Sequence, residues 1–181
     1  SGYKLIGRTD FCNYLKDSVK NIPTVGGINN ASIEMIISLK PDLVITSSIF
    51  TKSMSQTIQN AGIQIISLPE KPEIQGLYET LNTLGKILDK EEKSKEIIDN
   101  FKASLNNITS SRINKSIKPK VYYVIQYGVG GDFSAGENTF INEIIELSGG
   151  DNIAKKTKNW SFSKEEIFAN QPGWIFNLQE H

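Results

Sequence analysis

Apolar positions follow two different periods along this chain. Short continuous apolar runs, such as 43–45 and 121–125, are typical of buried parallel strands, and the apolar-rich segment 63–68 is predicted to be another strand. Between them lie stripes in which apolar residues recur every three or four positions, such as 77–88 and 97–108, which predict helices. Strands that alternate with helices predict an α/β fold with parallel sheets.

Helix boundary signals add detail to this pattern. A helix is predicted around the apolar stripe at 33–37. Asn30 is predicted to cap its start, and Lys40-Pro41 is predicted to end it. Gly62 suits the position just after a helix at 51–61, and Ser163 with Glu166 forms a capping box. A short strand is predicted at 5–7.

A long uninterrupted helix is predicted between two halves of the chain. No Pro or Gly occurs from Glu91 to Ile113, so a helix of about 20 residues is expected there. We therefore predict two Rossmann-like lobes with parallel sheets, joined by this helix. The predicted limits are 1–90 for the first lobe, 91–113 for the linking helix and 114–181 for the second lobe.

Composition and charge exclude several functions. The 181 residues carry 20 basic and 20 acidic side chains, so a nucleic-acid partner is not expected. The single Cys and the single His, at the last position, argue against disulfides, Cys or His metal sites and Ser-His-Asp catalysis. No apolar run approaches membrane-spanning length. The Gly-rich stretch at 128–131 lacks a complete phosphate-binding motif.

Candidate binding residues come from loops that follow strands, because ligands of α/β lobes lie beyond the carboxyl ends of parallel strands. Aromatic residues in or beside these loops suit a large, planar, nearly neutral ligand, and polar neighbours could hydrogen-bond it. The alternative is that the aromatic residues pack under their own loops and the polar ones cap turns. The candidates are Asp10, Asn13, Tyr14, Phe50, Gln126, Tyr127, Phe133, Trp160 and Phe162.

Several segments, taken in order, resemble one known family. They are GRTDFCNY at 7–14, VGG at 25–27, SIEMIISLKPDLVI at 32–45, AGENTFI at 135–141, GGDNIA at 149–154 and SKEEI at 163–167. This set is similar to the substrate-binding proteins of ABC importers for cobalamin, heme and iron-siderophores, the cobalamin-binding branch in particular. The resemblance implies two lobes bridged by one rigid helix, with the ligand held between them.

The resemblance also implies partners and a location. Glu34 and Glu165 match the acidic residues, one on each lobe, that meet arginines of the membrane permease. The alternative is that both are ordinary solvated residues of a first helical turn. An extracytoplasmic location is implied, either periplasmic or as a cell-surface lipoprotein, although the chain itself carries no signal or anchor segment.

The ends of the chain depart from the family pattern. Family members usually begin with a further strand and helix and continue beyond residue 181. We therefore expect the chain to be a fragment, or to be completed by self-association with a second copy.

The predicted function is capture of cobalamin or a related corrinoid for import. Catecholate siderophores usually call for several arginines, and only Arg8 and Arg112 are present. Heme usually needs an axial His or Tyr, for which Tyr14 or Tyr127 could serve. A ferric siderophore or heme therefore stays open as the ligand. No resident cofactor is expected. Other possibilities are an α/β enzyme, for which no catalytic constellation is visible, and a ligand-sensing domain without uptake.

Overall fold

The computed structural model describes residues 4–14, 16–27, 30–46, 50–68, 71–111, 117–128 and 132–177. The chain divides into two compact units, residues 1–70 and 71–181. Both units combine helices with parallel strands, so the predicted α/β fold class is confirmed. The predicted lobe limits, with a link at 91–113, stay a prediction.

The first unit contains a two-stranded parallel sheet. β1 pairs with β2 in the register Leu43↔Gln64 to Thr46↔Ser67. The elements of this unit are α1 (Lys16–Val19), α2 (Ile33–Ser38), β1 (Leu43–Thr46), α3 (Lys52–Asn60) and β2 (Gln64–Ser67). Apart from α1, each was predicted from an apolar run or stripe.

The core of the first unit joins its helices to its sheet. Ile36 of α2, Ile58 of α3 and Ile63 before β2 are buried together. Gly62 takes a φ of +81° directly after the C-cap of α3, which a side chain would strain. The predicted end of this helix is therefore confirmed.

Two predictions at the start of the first unit are wrong. Residues 5–7 form no strand, and an isolated parallel bridge joins the next residue, Arg8, to Thr24. The N-cap of α2 is Ser32, whose hydroxyl accepts a hydrogen bond from the Met35 amide at 3.2 Å. Asn30 lies two residues earlier, and its side chain accepts from the Gly27 amide at 2.9 Å.

The second unit contains a three-stranded parallel sheet in the order β4-β3-β5. Val121 of β3 is in register with Asn152 on one side and with Trp174 on the other. The elements of this unit are α4 (Ile74–Ile87), α5 (Glu91–Ser110), β3 (Lys120–Val124), α6 (Phe140–Leu147), β4 (Asp151–Asn152), α7 (Lys164–Asn170) and β5 (Trp174–Asn177).

Helix α5 agrees with the long helix predicted from the uninterrupted stripe. It packs against α4, where the rings of Tyr78 and Phe101 meet edge to face at 6.1 Å between centroids. A carboxylate oxygen of Glu143 on α6 accepts a hydrogen bond from the Ile74 amide at 2.7 Å. This bond fixes the start of α4 to α6. Residues 112 and 113 of the predicted helix lie outside the described residues, and its linking role stays a prediction.

Helix α7 begins at the predicted capping box. The Ser163 hydroxyl accepts from the Glu166 amide, and the Glu166 carboxylate accepts from the Ser163 amide at 2.9 Å. This arrangement satisfies two backbone donors of the helix start. The two-residue strand β4 was not predicted, because it is too short to show a period.

Candidate functional site

A small ladder of backbone pairs aligns three loop segments of the second unit. Phe133 pairs antiparallel with Gln126 on one side and with Ser161 on the other. The Phe133 amide donates to the Gln126 carbonyl at 2.8 Å, and the Ser134 amide donates to the Trp160 carbonyl at 2.7 Å. The segments that follow β3 and precede α7 are thereby held side by side.

Two of the candidate aromatic side chains stand exposed beside this ladder. Tyr127 is 72% exposed and Trp160 is 47% exposed. Trp160 also adopts a φ of +63°, which is unfavourable for a residue with a β-carbon. Strained backbone of this kind persists only where the surroundings hold it, and it concentrates at functional sites.

The other two aromatic candidates of this unit are more buried. Phe162 is only 4% exposed and packs against Tyr122 in a tilted arrangement, with 5.6 Å between ring centroids. Packing in the core with Tyr122 and Ala154 explains this position without a ligand. Burial also raises the pKa of the Tyr122 phenol. Phe133 is half-buried within the ladder.

A buried polar cluster supports the ladder from beneath. The fully buried Asn152 side chain donates to the Ala135 carbonyl at 2.8 Å and to the side-chain oxygen of Asn142 at 2.9 Å. Its own oxygen accepts from the Ala154 amide at 3.0 Å. Nothing in the apolar pattern singles out this asparagine. It ties the segment after Phe133 to the one that leads to Trp160.

The candidates of the first unit do not form one cluster. Asp10 and Asn13 are exposed, and their amides donate to the carbonyls of Gly26 and Phe11. Tyr14 on the same loop is almost fully exposed. Phe50 instead packs against the core of the unit. Among the described residues of this unit, the loop at 9–14 therefore offers the accessible candidate groups. The loops from which the candidates were selected are 9–14, 26–29, 46–50, 126–134 and 158–162, and their residues 28–29, 47–49 and 129–131 lie outside the described residues.

Glu34 and Glu165 each lie in the first turn of a short helix, α2 and α7, and both are exposed. Within the described ranges, neither carboxylate has a hydrogen bond or ion pair. The neighbouring Glu166 is different, because its carboxylate is engaged in the capping box. Of these two adjacent glutamates, Glu166 is therefore bonded within its own helix start, whereas Glu165 has no bond within the described ranges.

The described residues show neither a metal-binding cluster nor a membrane-spanning helix. Among the residues that the structure describes, no group of three or more His, Cys, Asp or Glu could hold a metal ion. In the same ranges, no helix has the length and apolar character needed to cross a bilayer.

Curated relatives share moderate sequence identity with the chain. An uncharacterized ABC transporter substrate-binding lipoprotein, YvrC of Bacillus subtilis, is 27% identical over 88% of this chain and 51% of the relative. A cobalamin-binding protein of Halobacterium salinarum is 26% identical over 92% and 46%. The high-affinity heme uptake system protein IsdE of Staphylococcus aureus is 22% identical over 96% and 60%. The chain spans about half the length of the first two of these relatives.

Solved structures share the fold. The periplasmic heme-binding protein RhuT from Roseiflexus sp. RS-1 superposes with a TM-score of 0.81 at 21% identity, covering 96% of this chain and 68% of that one. The periplasmic vitamin B12 binding protein BtuF of Vibrio cholerae gives 0.72 at 18% identity, covering 96% and 68%.

Family membership follows from a match over nearly the whole sequence. The family model described as periplasmic binding protein matches residues 3–180. The resemblance drawn from the ordered motifs is thereby confirmed. The chain belongs to the periplasmic binding protein family.

Proposed function

We propose that this protein is the extracytoplasmic substrate-binding component of an ABC importer and that it captures cobalamin or a related corrinoid. The observation that carries the proposal is the ladder of the second unit, which presents Tyr127 and Trp160 beside Gln126 beyond the carboxyl end of β3. The family comprises substrate-binding proteins of transport systems, so the proposal is binding and delivery without catalysis.

The exposed rings explain how a corrinoid would be held. A large flat macrocycle gains most of its affinity from burying ring area, and each buried aromatic surface of about 150–250 Å² is a substantial contribution. Gln126 offers an amide that matches the amide substituents of a corrinoid. The remaining proposed contacts are Asp10, Asn13, Tyr14 and Phe133, whereas Phe50 and Phe162 are predicted contacts that core packing already explains.

The state of Arg8 supports a ligand of low charge. Its guanidinium donates to the carbonyls of Val19 at 3.0 Å, Thr9 at 3.2 Å and Cys12 at 3.5 Å. Through its Nε and Nη1 atoms this arginine stabilises its own loop, so only part of its guanidinium remains to bind a carboxylate or catecholate. Arg112 lies outside the described residues.

Heme is the alternative ligand, and the exposed position of Tyr127 favours it. Its phenol is exposed in the ladder, and a tyrosine oxygen can serve as an axial ligand of heme iron. A heme uptake protein is among the relatives, beside the cobalamin-binding protein. A ferric siderophore would use the same exposed surface.

Delivery would depend on Glu34 and Glu165. Exposed carboxylates that lack partners within the described ranges can orient the protein on a basic membrane permease. We expect Glu34→Lys and Glu165→Lys to weaken permease binding and leave ligand affinity unchanged. Glu92→Lys is the matched control, since Glu92 is also an exposed first-turn glutamate. Equal loss of permease binding in all three variants would contradict the docking role.

The experiment that tests the ligand proposal is a titration with cyanocobalamin in which bound corrinoid is measured by equilibrium dialysis and corrinoid absorbance. Trp160→Ala and Tyr127→Ala are each expected to weaken binding by about tenfold or more, because each removes ring burial worth roughly 1.5–3 kcal/mol. Trp174→Ala is the control, because Trp174 is exposed on β5 away from the ladder. Affinity that survives both ladder variants would contradict the proposed site.

A further inference from the structure

A groove of about 540 Å³ lies in the second unit, alongside the edge strand β4 and helix α7. It reaches from Lys120 at the start of β3 to Ser161 of the ladder. Its lining also includes the segment 155–159, and from α7 it includes Glu166 and Asn170. A neighbouring hollow shares Lys120 and Lys155 and adds Lys118, so the basic character continues beyond the groove.

Positive charge is concentrated in this groove although the chain as a whole is neutral. Four lysines line it, at positions 120, 155, 156 and 158, against the two carboxylates of Asp151 and Glu166. Both carboxylates are already engaged. Asp151 accepts from the Lys155 ammonium at 2.5 Å, and Glu166 accepts from the Ser163 amide and hydroxyl. The excess charge therefore has no acidic counterpart in the lining.

Several donors of the groove have no partner within the described residues. Lys156 and Lys158 form no ion pair there, and the hydroxyl groups of Thr157 and Ser161 form no hydrogen bond. Ammonium groups and hydroxyl groups that converge on one hollow are the donors that bind phosphate oxygens, and charge-assisted bonds of this kind are strong. The volume also lies within the range of small-molecule sites, about 300–1,000 Å³.

We propose that this groove binds a phosphate group, held by Lys156 and Lys158 with Thr157 and Ser161 as hydroxyl donors. The site does not coincide with the exposed rings of Tyr127 and Trp160, and it does not depend on the corrinoid proposal. The phosphate could belong to a free phosphorylated molecule or to the headgroup of an anionic phospholipid, which share this chemistry.

The test compares two phosphate probes on the whole chain. Pyrophosphate binding is measured by calorimetry at low salt, and co-sedimentation is measured with phosphatidylglycerol vesicles and with phosphatidylcholine vesicles as the neutral reference. Lys156→Glu/Lys158→Glu is expected to lower the affinity by about tenfold or more, since two charge-assisted bonds are lost. Raising the salt to about 0.15 M should weaken binding as well, because screening shortens the electrostatic range to about 8 Å.

A matched variant separates the groove from general charge effects. Lys86→Glu/Lys90→Glu makes the same charge change at two exposed lysines of α4 and its following turn, outside the groove. It should leave the affinity within about twofold of the unchanged protein, and Lys156→Arg/Lys158→Arg should retain binding.

Each outcome decides the proposal. Pyrophosphate binding that the groove variant abolishes supports a free phosphorylated ligand, and binding to phosphatidylglycerol vesicles alone supports a lipid headgroup. Absence of binding to both probes would overturn the site. Equal losses in the groove variant and the matched variant would overturn it too. The corrinoid proposal rests on Tyr127 and Trp160, which do not line the groove, so failure of the phosphate site leaves that proposal standing.

Discussion

Replacing Asn152 by alanine perturbs the polar cluster beneath the ladder. The side chain is fully buried and makes three hydrogen bonds, to Ala135, Asn142 and Ala154, at 2.8–3.0 Å. Each such bond contributes about 1 kcal/mol net, and each buried partner left unsatisfied costs about 1–3 kcal/mol. We therefore expect Asn152→Ala to lower the free energy of unfolding of the second unit by about 3–6 kcal/mol.

The assay uses the intrinsic fluorescence of the protein. The two tryptophans, Trp160 and Trp174, both lie in the second unit, so urea unfolding followed by tryptophan emission reports on that unit. A loss of about 3–6 kcal/mol is a large share of the 5–15 kcal/mol typical of a domain. The unfolding midpoint should therefore move strongly towards low urea concentration.

Two companion variants make this prediction sharp. Asn142→Ala removes one of the three bonds and should cost about 1–2 kcal/mol. Asn159→Ala changes an exposed asparagine nearby and should cost less than about 0.5 kcal/mol. If Asn152→Ala lowers the free energy of unfolding by less than about 1 kcal/mol, the reasoning is refuted. The three buried hydrogen bonds of Asn152 would then not be holding together the segments that contain Ala135, Asn142 and Ala154.

Two further predictions concern the same unit. Gly136→Ala should destabilise it by more than about 2 kcal/mol, because the added β-carbon would overlap the Thr157 carbonyl oxygen; Gly173→Ala, which meets only an ordinary contact, is the control in the same urea assay. Burial raises the pKa of Tyr122 above 10.0, so its neutral form stabilises the fold below that pH and the stability is lost as pH rises through the raised value. Tyr122→Phe should keep the packing on Phe162. Between about pH 8 and pH 11 its free energy of unfolding should fall less than that of the unchanged protein. An identical fall in the two proteins would contradict this.

Long and regular signals in the sequence predicted the elements well. Helix α5 appears where a stripe runs for some 20 residues without Pro or Gly, and β1, β2 and β3 appear within short segments rich in apolar residues. The capping box at Ser163 was also predictable, because its two partners are three residues apart and make their bonds locally.

Features that depend on distant contacts were not predictable. Residues 5–7 were predicted to form a strand, yet among the described residues they pair with no other segment, and the nearest bridge joins Arg8 to Thr24. Asn30 is a good capping residue, but Ser32 lies closer to the first turn and takes that role. β4 exists only because β3 provides its partner.

The contrast between local signals and distant contacts also applies to the candidate site. Aromatic residues that follow strands could be selected from the sequence, and Tyr127 and Trp160 are indeed exposed beside the ladder. Exposure itself could not be predicted, since Phe162 has the same sequence context and packs on Tyr122 in the core. The role of Asn152 depends on Ala135, 17 residues away, and the basic groove depends on three segments of chain that meet only after folding.

The most direct test of the central claim is gel filtration of the protein mixed with cyanocobalamin, in which protein absorbance and corrinoid absorbance are followed together. The account predicts that the corrinoid co-elutes with the protein, and the elution volume also reports whether a second copy takes part. Parallel runs with heme and with a ferric siderophore show which ligand of this class is preferred. Co-elution of heme or siderophore without corrinoid would contradict the corrinoid assignment, and separate elution of all three ligands would contradict the binding function itself.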